Sequence, residues 1–538
     1  MKPKFIFVLV LTFSLGALPF SGDRSGPRDI RLLFEAVGKS DTSEFGLQVL
    51  GAGDQNQDGY ADVVAWARRE AKMYLFYGGS PTDSLPDLVF TNAYRGATAD
   101  VNGDGVPDFA FGAIIGNRGY VRLYYGGVLL DTIPDLRFSS PDSGQGFGIP
   151  YAIGDFNGDG YEDIAISELA FPNQQFQGKV RVFFGGVPMD SLADWVAQGD
   201  SARYTFGVDI AGGDLNADGY SDLIVFGRRL TWTNAPAYAK IFFGGGLPDT
   251  IPRLTLDALQ TFFPFTAHGR AVGDVNGDGY NDFCLSVGGY RDTAALVFYG
   301  GNPFDLIPDK VLRRSFQPAG NIPGFVVAGA GDINRDGYAD IVLGNRNAFS
   351  GFGEVLVYLG GPNMSSDFAF GFTGLGNPYD GAGVSVGRCN DVNGDRVDDI
   401  MFGAWNGDPG SNNYPGRVEI FSGDSTITGI TEPGNAQLPL SFHLYQNYPN
   451  PFNGETTIKF SIPSVNSLSL IVHVSLSIYD VQGKEVRTLL KEEVLLTGDH
   501  AVRWDATDNA GRLLSSGIYF YRLSVNGHAL TNKMVLLR

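Results

Sequence analysis

Short apolar runs separated by polar, glycine-rich loops recur along most of the chain. Residues 163–166, 222–225 and 340–343 each begin with Asp and continue with three apolar residues. Runs of this length, rich in β-branched residues, are typical of strands that are buried on both faces. A glycine-rich stretch such as residues 147–154 precedes most of them and predicts the strand before. We therefore predict β-hairpins, each closed by the polar loop between its two strands.

A second repeating feature is an aromatic stretch that stops at two glycines. It predicts a third strand in each repeat, and short segments such as residues 87–90 and 135–138 predict a fourth. Successive repeats are 46 to 60 residues apart. Four strands in a period of this size are typical of one blade of a β-propeller, so we predict an all-β fold. The double-glycine stops lie at residues 76–79, 124–127, 183–186, 242–245, 298–301 and 358–361.

The seventh repeat lacks a fourth strand of its own. Residues 418–424 end its third strand, and a linker follows. Residues 29–34, ahead of the first repeat, have the pattern of the missing strand. We predict that this segment completes the seventh blade and closes the ring, because an unpaired sheet edge promotes aggregation.

The polar loops share a nine-residue motif that occurs seven times. Asp stands at positions 1, 5 and 9 and Asn at position 3, and six copies have Gly at position 6. Oxygen ligands arranged round a glycine suit Ca²⁺, which takes about six to eight oxygens. We predict up to seven calcium ions, each bound by the side chains at positions 1, 3, 5 and 9 and by the backbone carbonyl at position 7. The predicted ligands are Asp54, Asn56, Asp58, Tyr60, Asp62, Asp100, Asn102, Asp104, Val106, Asp108, Asp155, Asn157, Asp159, Tyr161, Asp163, Asp214, Asn216, Asp218, Tyr220, Asp222, Asp274, Asn276, Asp278, Tyr280, Asp282, Asp332, Asn334, Asp336, Tyr338, Asp340, Asp391, Asn393, Asp395, Val397 and Asp399.

An EF-hand and a metal-free turn both share part of this motif. An EF-hand requires Glu at position 12, and this position is apolar in all seven copies, so an EF-hand is excluded. Asx turns, in which Asp and Asn bond their own backbone without a metal, stay open for any single copy. Three carboxylates in each of seven loops repel one another unless a cation lies among them, which favours metal binding for the set. Arg396 replaces the glycine of the last loop and weakens the prediction there.

The acidity of the chain comes from these loops. The protein has 538 residues and a net charge of −20. The loops contain 21 aspartates at positions 1, 5 and 9, and the remaining 38 acidic residues nearly balance the 39 Lys and Arg. This balance disfavours nucleic acid as a partner. The two cysteines, Cys284 and Cys389, lie in different repeats, and we predict buried free thiols.

Segments outside the repeats predict how the chain is organised. Residues 1–22 combine two lysines with an apolar stretch, which predicts a cleaved signal peptide. No other stretch is long and apolar enough to cross a membrane, so we predict no transmembrane segment in the mature chain. The repeats define a propeller at residues 28–425. Residues 426–441 contain Gly and Pro without periodicity and predict a linker.

Residues 442–538 have a different pattern from the repeats. Apolar residues alternate at 458–462 and 474–478, and turn sequences at 480–483 and 508–511 separate the runs. About seven short strands of this kind predict a small immunoglobulin-like β-sandwich.

The repeats resemble FG-GAP repeats, which form the propeller of the integrin α subunit. The Asp-rich loops and the Phe-Gly pairs at residues 45–46, 147–148 and 206–207 lie where that family has them. The resemblance implies a seven-bladed propeller with Ca²⁺ in the hairpin between the first two strands of each blade, where the ion stabilises the blade without doing chemistry. The chain departs from the family at Asp100, which no Phe-Gly pair precedes, and at Arg396.

The C-terminal segment resembles the sorting domain of type IX secretion. The sequence Tyr-Pro-Asn-Pro-Phe-Asn at residues 448–453, the aromatic run at 517–521 and the ending at 533–535 match that pattern. The resemblance implies that the type IX secretion machinery carries the protein across the outer membrane of a double-membraned bacterium, for release or surface attachment. The alternative is an immunoglobulin-like adhesive domain.

Ligand binding is predicted for the propeller face opposite the calcium loops. The loops between the second and third strands leave a meander on that face, and here they are rich in Arg and aromatic residues, including Arg68 and Tyr238. This composition is typical of glycan or protein recognition. Long exposed loops also carry such residues without a ligand. The predicted ligand-binding residues are Arg118, Arg229, Trp232, Tyr290, Arg346, Trp405 and Tyr414.

An enzyme is the alternative functional class. Catalysis would need an acid and a base that converge on the same face, and the candidates are His268, Glu168, Asp292 and Asp408. The sequence has neither a nucleophile elbow nor a zinc motif. We therefore predict a secreted or surface-attached, calcium-stabilised propeller that binds an extracellular protein or glycan. A carbohydrate-active or other hydrolytic enzyme is the less favoured interpretation.

Overall fold

The computed structural model consists of β-strands and one short 3₁₀ turn, Ala348–Gly351, with no α-helix in the residues that it describes. No helix that could span a membrane is therefore found in this part of the chain. The described residues are 30–40, 43–141, 146–169, 177–200, 204–229, 237–257, 265–287, 293–313, 326–373, 380–405, 415–427, 443–462, 471–496, 498–525 and 528–538.

Seven four-stranded antiparallel sheets follow one another between residues 32 and 421, and we number them 1 to 7. In sheets 1 to 6 the strands pair in chain order, as in a meander. The strands of sheets 1 to 3 are β2 (Phe45–Gly53), β3 (Asp62–Ala67), β4 (Lys72–Phe76) and β5 (Leu88–Thr91); β6 (Tyr94–Ala99), β7 (Asp108–Ile115), β8 (Arg118–Tyr124) and β9 (Leu136–Ser139); and β10 (Phe147–Gly154), β11 (Asp163–Glu168), β12 (Lys179–Phe183) and β13 (Trp195–Gln198).

Sheets 4 to 6 repeat this arrangement, and sheet 7 combines three late strands with the first strand of the described residues. Their strands are β14 (Tyr204–Gly213), β15 (Asp222–Arg229), β16 (Ala237–Phe242) and β17 (Leu254–Asp257); β18 (Phe265–Gly273), β19 (Asp282–Val287), β20 (Thr293–Phe298) and β21 (Lys310–Arg313); β22 (Val326–Gly331), β23 (Asp340–Asn345), β24 (Glu354–Tyr358) and β25 (Phe370–Thr373); and β26 (Ser385–Arg388), β27 (Ile400–Ala404), β28 (Arg417–Phe421) and β1 (Leu32–Val37).

The strand that completes sheet 7 begins three residues later than the sequence predicts. We predicted residues 29–34, whereas β1 spans Leu32–Val37 and pairs with β28 up to Val37 opposite Arg417. Phe34 and Ala36 are the buried residues of β1, so the core-facing positions continue past the predicted end. The bounds of the strand are therefore set by the side chains that it buries, and not by the apolar residues nearer the N-terminus.

Contacts between the sheets run in a cycle. The first strand of each sheet contacts the first strand of the next, in the order β2, β6, β10, β14, β18, β22 and β26, and β26 in turn contacts β2. The last sheet is therefore a neighbour of the first, and these seven strands are the inner strands of the array.

Aromatic side chains fill the space between neighbouring sheets. Phe138 of sheet 2 and Phe183 of sheet 3 have ring centroids 4.7 Å apart, and Phe372 and Phe402 join sheets 6 and 7 at 5.5 Å. Phe34 of β1 meets Phe76 of sheet 1 at 5.2 Å, so the same packing continues from sheet 7 to sheet 1. Truncating one of these buried rings to Ala is expected to cost about 3–5 kcal/mol.

The C-terminal domain has two sheets that share one apolar core. Trp504 and Tyr521 are buried at its centre, and Phe452 packs on Trp504 with ring centroids 5.7 Å apart. The backbone N–H of Phe452 donates to Val535, and that of Leu537 donates to Phe452, so the segment at residues 448–453 holds the last strand. The sheets contain β29 (His443–Leu444), β30 (Thr456–Ile462) and β33 (Gly498–Trp504); and β32 (Glu485–Leu496), β31 (Ile471–Tyr479), β34 (Gly517–Val525) and β35 (His528–Leu536).

Candidate metal centres and ligand-binding face

The aspartate at position 1 organises the backbone of each acidic loop. In loop five, Oδ1 of Asp274 accepts hydrogen bonds from the N–H groups of Gly277 at 2.6 Å and Asp278 at 3.1 Å. Its Oδ2 accepts from Gly279 at 2.8 Å. The bond from position 6 to position 1 occurs in all seven loops. Position 1 thus bends the loop round its own carboxylate.

Positions 3 and 5 direct their oxygens toward the same loop backbone. Oδ1 of Asn276 accepts from the N–H of Asp278 at 2.9 Å, and Oδ1 of Asp278 accepts from Tyr280 at 3.0 Å. The amide of Asn276 donates to Oδ2 of Asp278 at 2.7 Å. These are the bonds of Asx turns, so the hydrogen bonding that the metal-free alternative requires is present in the loop.

The aspartate at position 9 is buried beneath the loop and accepts two backbone hydrogen bonds. In loop five, Oδ2 of Asp282 accepts from Val275 and Oδ1 accepts from Gly300, both at 2.8 Å. The same pair of bonds occurs in every loop, at 2.7 to 3.0 Å. Burial, and then the negative charges at positions 1 and 5, raise the pKa of this carboxyl to about 7 in six loops and to about 8 for Asp340.

This donor set fits a hard divalent cation. Each loop carries three carboxylates and one amide oxygen within nine residues, and the charges at positions 1 and 5 add to burial in raising the pKa at position 9. No group of three His, Cys, Asp or Glu side chains among the described residues already converges as a finished site. Calcium ligation by the predicted residues therefore stays a prediction.

Backbone hydrogen bonds join each loop to the loop before it, a feature that the sequence did not predict. The N–H at position 8 donates to the position-1 carbonyl of the preceding loop, as Ser221 does to Asp155 at 2.7 Å. A residue after the third strand donates to the position-2 carbonyl, as Gly245 does to Phe156 at 3.0 Å. Six of the seven junctions have both bonds, including the junction between loop seven and loop one, where Ala61 donates to Asp391.

The seventh junction, between loops one and two, uses a side chain instead. Position 8 of loop two is Pro107, which has no N–H to donate. Gln55, fully buried at position 2 of loop one, donates from Nε2 to the carbonyl of Pro107 and accepts at Oε1 from the N–H of Gly127 at 2.9 Å. Positions equivalent to Gln55 are apolar in the other six loops, and this difference was visible in the sequence.

The aromatic ring at position 7 has a packing role beyond the predicted carbonyl ligand. Tyr60 of loop one lies over Gly394 at position 4 of loop seven, where an added Cβ would be 2.6 Å from the ring. Tyr220 lies over Gly158 in the same way. Where position 7 is Val, as at Val106 and Val397, position 4 of the preceding loop carries a long side chain, Gln57 or Arg335.

Loop seven differs from the others in its side-chain bonds. Arg396 takes a left-handed backbone conformation with φ of +70°, and its N–H still donates to Asp391. The amide of Asn393, however, donates to Asp399 at 3.1 Å, whereas its counterparts in five loops donate to position 5. Loop seven therefore differs from the other loops in the arrangement of its side-chain oxygens as well as in the residue at position 6.

Two of the predicted ligand-binding residues come together on the opposite face. The guanidinium of Arg346, after β23, stacks 4.4 Å from the ring centroid of Trp405, after β27. Desolvation and the nearby charge of Arg68 lower the pKa of Arg346. Arg68 is itself held by the buried carboxylate of Glu44. Residues from sheets 6, 7 and 1 thus form one patch.

The structure describes two of the five other predicted ligand-binding residues. Arg118 is exposed at the start of β8, and the backbone of Arg229 ends β15. Trp232, Tyr290 and Tyr414 lie outside the described residues, as do the catalytic candidates Asp292 and Asp408.

Two residues placed on this face by the sequence are buried in strands. Tyr238 lies in β16 within the core between sheets 3 and 4, and Glu168 ends β11 with no exposed surface. Glu168 accepts a hydrogen bond from Ser140 at 2.8 Å and pairs with Arg181 at 3.4 Å. Both assignments were wrong because the strands extend further than their apolar runs.

Comparisons with known proteins identify both parts of the chain. A model described as FG-GAP-like repeat matches residues 54–111, and one described as FG-GAP repeat matches residues 152–183. A model described as secretion system C-terminal sorting domain matches residues 446–537.

Integrin α subunits are among the relatives of the repeat region. Integrin alpha-5 of Xenopus laevis is 27% identical over 230 residues, which cover 40% of this chain and 21% of the relative. Integrin alpha-V of Gallus gallus is 29% identical over 210 residues, covering 37% and 20%. The chain thus spans about a fifth of the length of these relatives.

A solved structure of PorZ, described as a surface component of the type-IX secretion system of Porphyromonas gingivalis, aligns over 89% of this chain and 74% of that chain. Its identity is 13% and its TM-score 0.27, a similarity too low to support a structural conclusion. The sequence matches establish that the chain carries FG-GAP repeats, homologous to those of integrin α subunits, ahead of a sorting domain for export by type IX secretion to the cell surface or outside.

Proposed function

We propose that this exported protein is a calcium-stabilised, seven-bladed β-propeller that binds an extracellular glycan or protein, and that it is not an enzyme. In this proposal sheets 1 to 7 are the blades, within residues 28–425, and residues 442–538 form an immunoglobulin-like sandwich behind the linker at 426–441. Residues 1–22 are the signal peptide. The cyclic order of sheet contacts supports the ring.

Calcium stabilisation is supported by the charge at the loops. Without a cation, each loop holds three aspartates within one turn, and the loops are hydrogen-bonded to one another round the ring. Repulsion within one loop is therefore transmitted to its neighbours. Bound Ca²⁺ would neutralise the carboxylates and hold position 1, whose carbonyl accepts the bond from the following loop in six of the seven junctions.

The single observation that carries the binding proposal is the stacked pair Arg346 and Trp405. An indole face packs against the apolar face of a sugar ring or an aliphatic side chain, and a guanidinium donates paired hydrogen bonds to carboxylates. The pair lies on the face opposite the acidic loops, so an acidic ligand would not meet their negative charge. This chemistry favours an acidic polysaccharide or an acidic protein segment as the ligand.

The test is a binding screen on the full chain in millimolar calcium. The probes are immobilised acidic and neutral polysaccharides and purified extracellular-matrix proteins, presented to wild type and to Arg346→Ala/Trp405→Ala. The control is Tyr120→Ala/Arg137→Ala, which removes a similar stack, 3.6 Å from guanidinium to ring, on the outer strands of sheet 2. We expect binding that the first variant loses and the control keeps. Equal binding by all three proteins, or turnover of a probe polysaccharide, would overturn the proposal.

A further inference from the structure

The inner strands carry an excess of positive charge in a protein whose net charge is −20. Within the bounds of the seven first strands, a single acidic residue, Asp209, stands among four basic ones. The basic residues are Arg95, His268, Arg270 and Arg388. The charge along the inner strands is therefore opposite in sign to that of the chain as a whole.

Two of these basic residues, His268 and Arg270, contact Asp209, and a third, Arg95, lies beside Tyr151 on a neighbouring strand. Asp209 is 3% exposed, and its Oδ2 accepts from Arg270 at 2.7 Å and lies 3.0 Å from Nδ1 of His268. Tyr151, on the strand between, places its hydroxyl 3.4 Å from the carbonyl of Val208. Arg95 approaches that hydroxyl from β6. We call Arg95, Tyr151, Asp209, His268 and Arg270 the channel cluster.

The cluster holds more positive charge than its single carboxylate balances. Asp209 pairs with Arg270 and contacts His268, and this single carboxylate leaves the second guanidinium, that of Arg95, uncompensated within the cluster. The side chains of His268 and Arg270 are 42% and 40% exposed, and Arg95 is exposed, so their remaining donors are open to solvent. A confined group of fixed cations attracts anions and discriminates against cations.

A cavity beside Arg270 provides room for the rest of a ligand. Its volume is about 460 Å³, and its lining includes Gly and Ala residues of β18 and β22, Tyr338 of loop six and Arg388 of β26. The acidic residues of its lining are Asp274 and Asp332, which head loops five and six, and Asp398, which pairs with Arg388 at 3.4 Å. Arg270, which Asp209 holds at 2.7 Å, and Arg388 are the two basic residues of this lining.

We propose that the channel cluster binds an oxyanion, the carboxylate or sulfate group of a small acidic ligand. Arginine donates two parallel hydrogen bonds to such groups, and Arg95 and Arg270 are the donors of this kind in the cluster. Asp209 is the positioning residue, because it fixes Arg270 and His268 from one buried carboxylate. The site is separate from the Arg346–Trp405 patch and does not require that patch to bind a ligand.

The experiment is isothermal titration of the full chain with sodium sulfate, and separately with glucuronate, in millimolar calcium at constant ionic strength. Wild type should bind one equivalent of either probe saturably, and binding of sulfate alone would assign the site to a free inorganic ion. Arg95→Gln, at an exposed position, should weaken affinity about tenfold or more, the loss of one charge-assisted bond. The control Arg137→Gln, on the outer strand β9, should bind as wild type does.

Two results would overturn the proposal: no saturable heat with either probe, or equal affinity in wild type and Arg95→Gln. If Arg95→Gln melts at a lower temperature than wild type, Arg95→Lys, which keeps the charge but loses the paired donors, replaces it as the test variant. Because neither variant alters Arg346 or Trp405, failure of this site and failure of the proposed ligand face are distinguishable.

Discussion

Nε2 of Gln55 donates a hydrogen bond of 2.7 Å to the carbonyl oxygen of Pro107, and this contact joins loop one to loop two. The six other junctions have backbone bonds in its place. Proline removes the donor at position 8, and the glutamine supplies one from the opposite loop while its Oε1 accepts from Gly127. One side chain thus replaces two backbone bonds at the place where the repeat is shortest, 46 residues.

Replacing Gln55 by Leu, an apolar residue like those found at this position in other loops, should destabilise the junction between loops one and two. The carbonyl of Pro107 and the N–H of Gly127 would lose a buried partner, at a cost of about 1–3 kcal/mol. Urea unfolding of the full chain measures the change. Adding Pro107→Ala restores an N–H at position 8, so Gln55→Leu/Pro107→Ala should recover part of the loss. A double variant no more stable than Gln55→Leu would show that the glutamine does not stand in for the missing backbone donor.

Gly394→Ala should destabilise the junction between loops seven and one by about 1–3 kcal/mol. The new Cβ would lie 2.6 Å from the Tyr60 ring, and the residue has φ of +79°. Adding Tyr60→Val should recover most of the loss, because Val stands at position 7 wherever the residue at position 4 of the preceding loop has a long side chain. Gly59→Ala, at φ of +92° with open space around it, measures the backbone strain alone. Equal losses in Gly394→Ala with and without Tyr60→Val would show that the ring contact is irrelevant.

Arg396→Gly should stabilise loop seven. The residue has φ of +70°, a conformation that favours glycine by about 1 kcal/mol. Thermal unfolding in calcium should show a higher melting temperature for the variant, and Arg396→Lys, which keeps both the charge and the strain, should match wild type. Stabilisation by Lys as large as by Gly would mean that the strain is not the cause.

Glu419 predicts a pH dependence of stability that is independent of the loops. Its side chain is buried beside Arg417, 3.3 Å from Nε, while Arg417 also pairs with Asp380 at 2.7 Å. Burial raises the pKa of Glu419 from 4.5 to about 7, with a further contribution from Glu35 on β1. Between these pH values the folded state holds a proton that the unfolded state releases, so stability falls as pH rises from about 4.5 to about 7.

The difference between wild type and Glu419→Gln isolates this effect. We expect wild type to lose about 3 kcal/mol relative to the variant over that interval, measured by urea unfolding in calcium at several pH values. Glu35→Gln removes only the exposed negative charge near Glu419. The stability of this variant should still fall as pH rises over the interval, but less steeply than that of wild type. A pH-independent difference between wild type and Glu419→Gln would contradict the assigned burial.

The apolar runs predicted the strands because a strand that is buried on both faces can be recognised from its own apolar side chains. Runs such as residues 222–225 became β15, but the run did not reveal that the strand continues to Arg229. Tyr238 and Glu168 were misplaced for the same reason: backbone pairing extends strands beyond their apolar residues, and the buried carboxylate of Glu168 pairs with Arg181 on the neighbouring strand.

The loop composition predicted the ligand types but not the bonds between loops. Those bonds involve backbone N–H groups, which every residue except proline has, so only the exceptional junction, with Pro107 and Gln55, left a signal in the sequence. The packing of Tyr60 on Gly394, in contrast, could have been predicted from the sequence. The residue at position 7 of one loop and the residue at position 4 of the preceding loop vary together along the repeats. The stack of Arg346 on Trp405 could not have been predicted from the sequence, because it depends on which sheets are neighbours.

The most direct test of the central claim, that calcium in the acidic loops stabilises the ring, is hydrogen–deuterium exchange of the full chain with millimolar calcium and with a chelator. We predict that chelation accelerates exchange in peptides covering the seven loops, because bonds such as Ala61 to Asp391 open, and leaves the C-terminal domain at residues 443–538 unchanged. Identical exchange in both conditions, or equal acceleration in both domains, would contradict it.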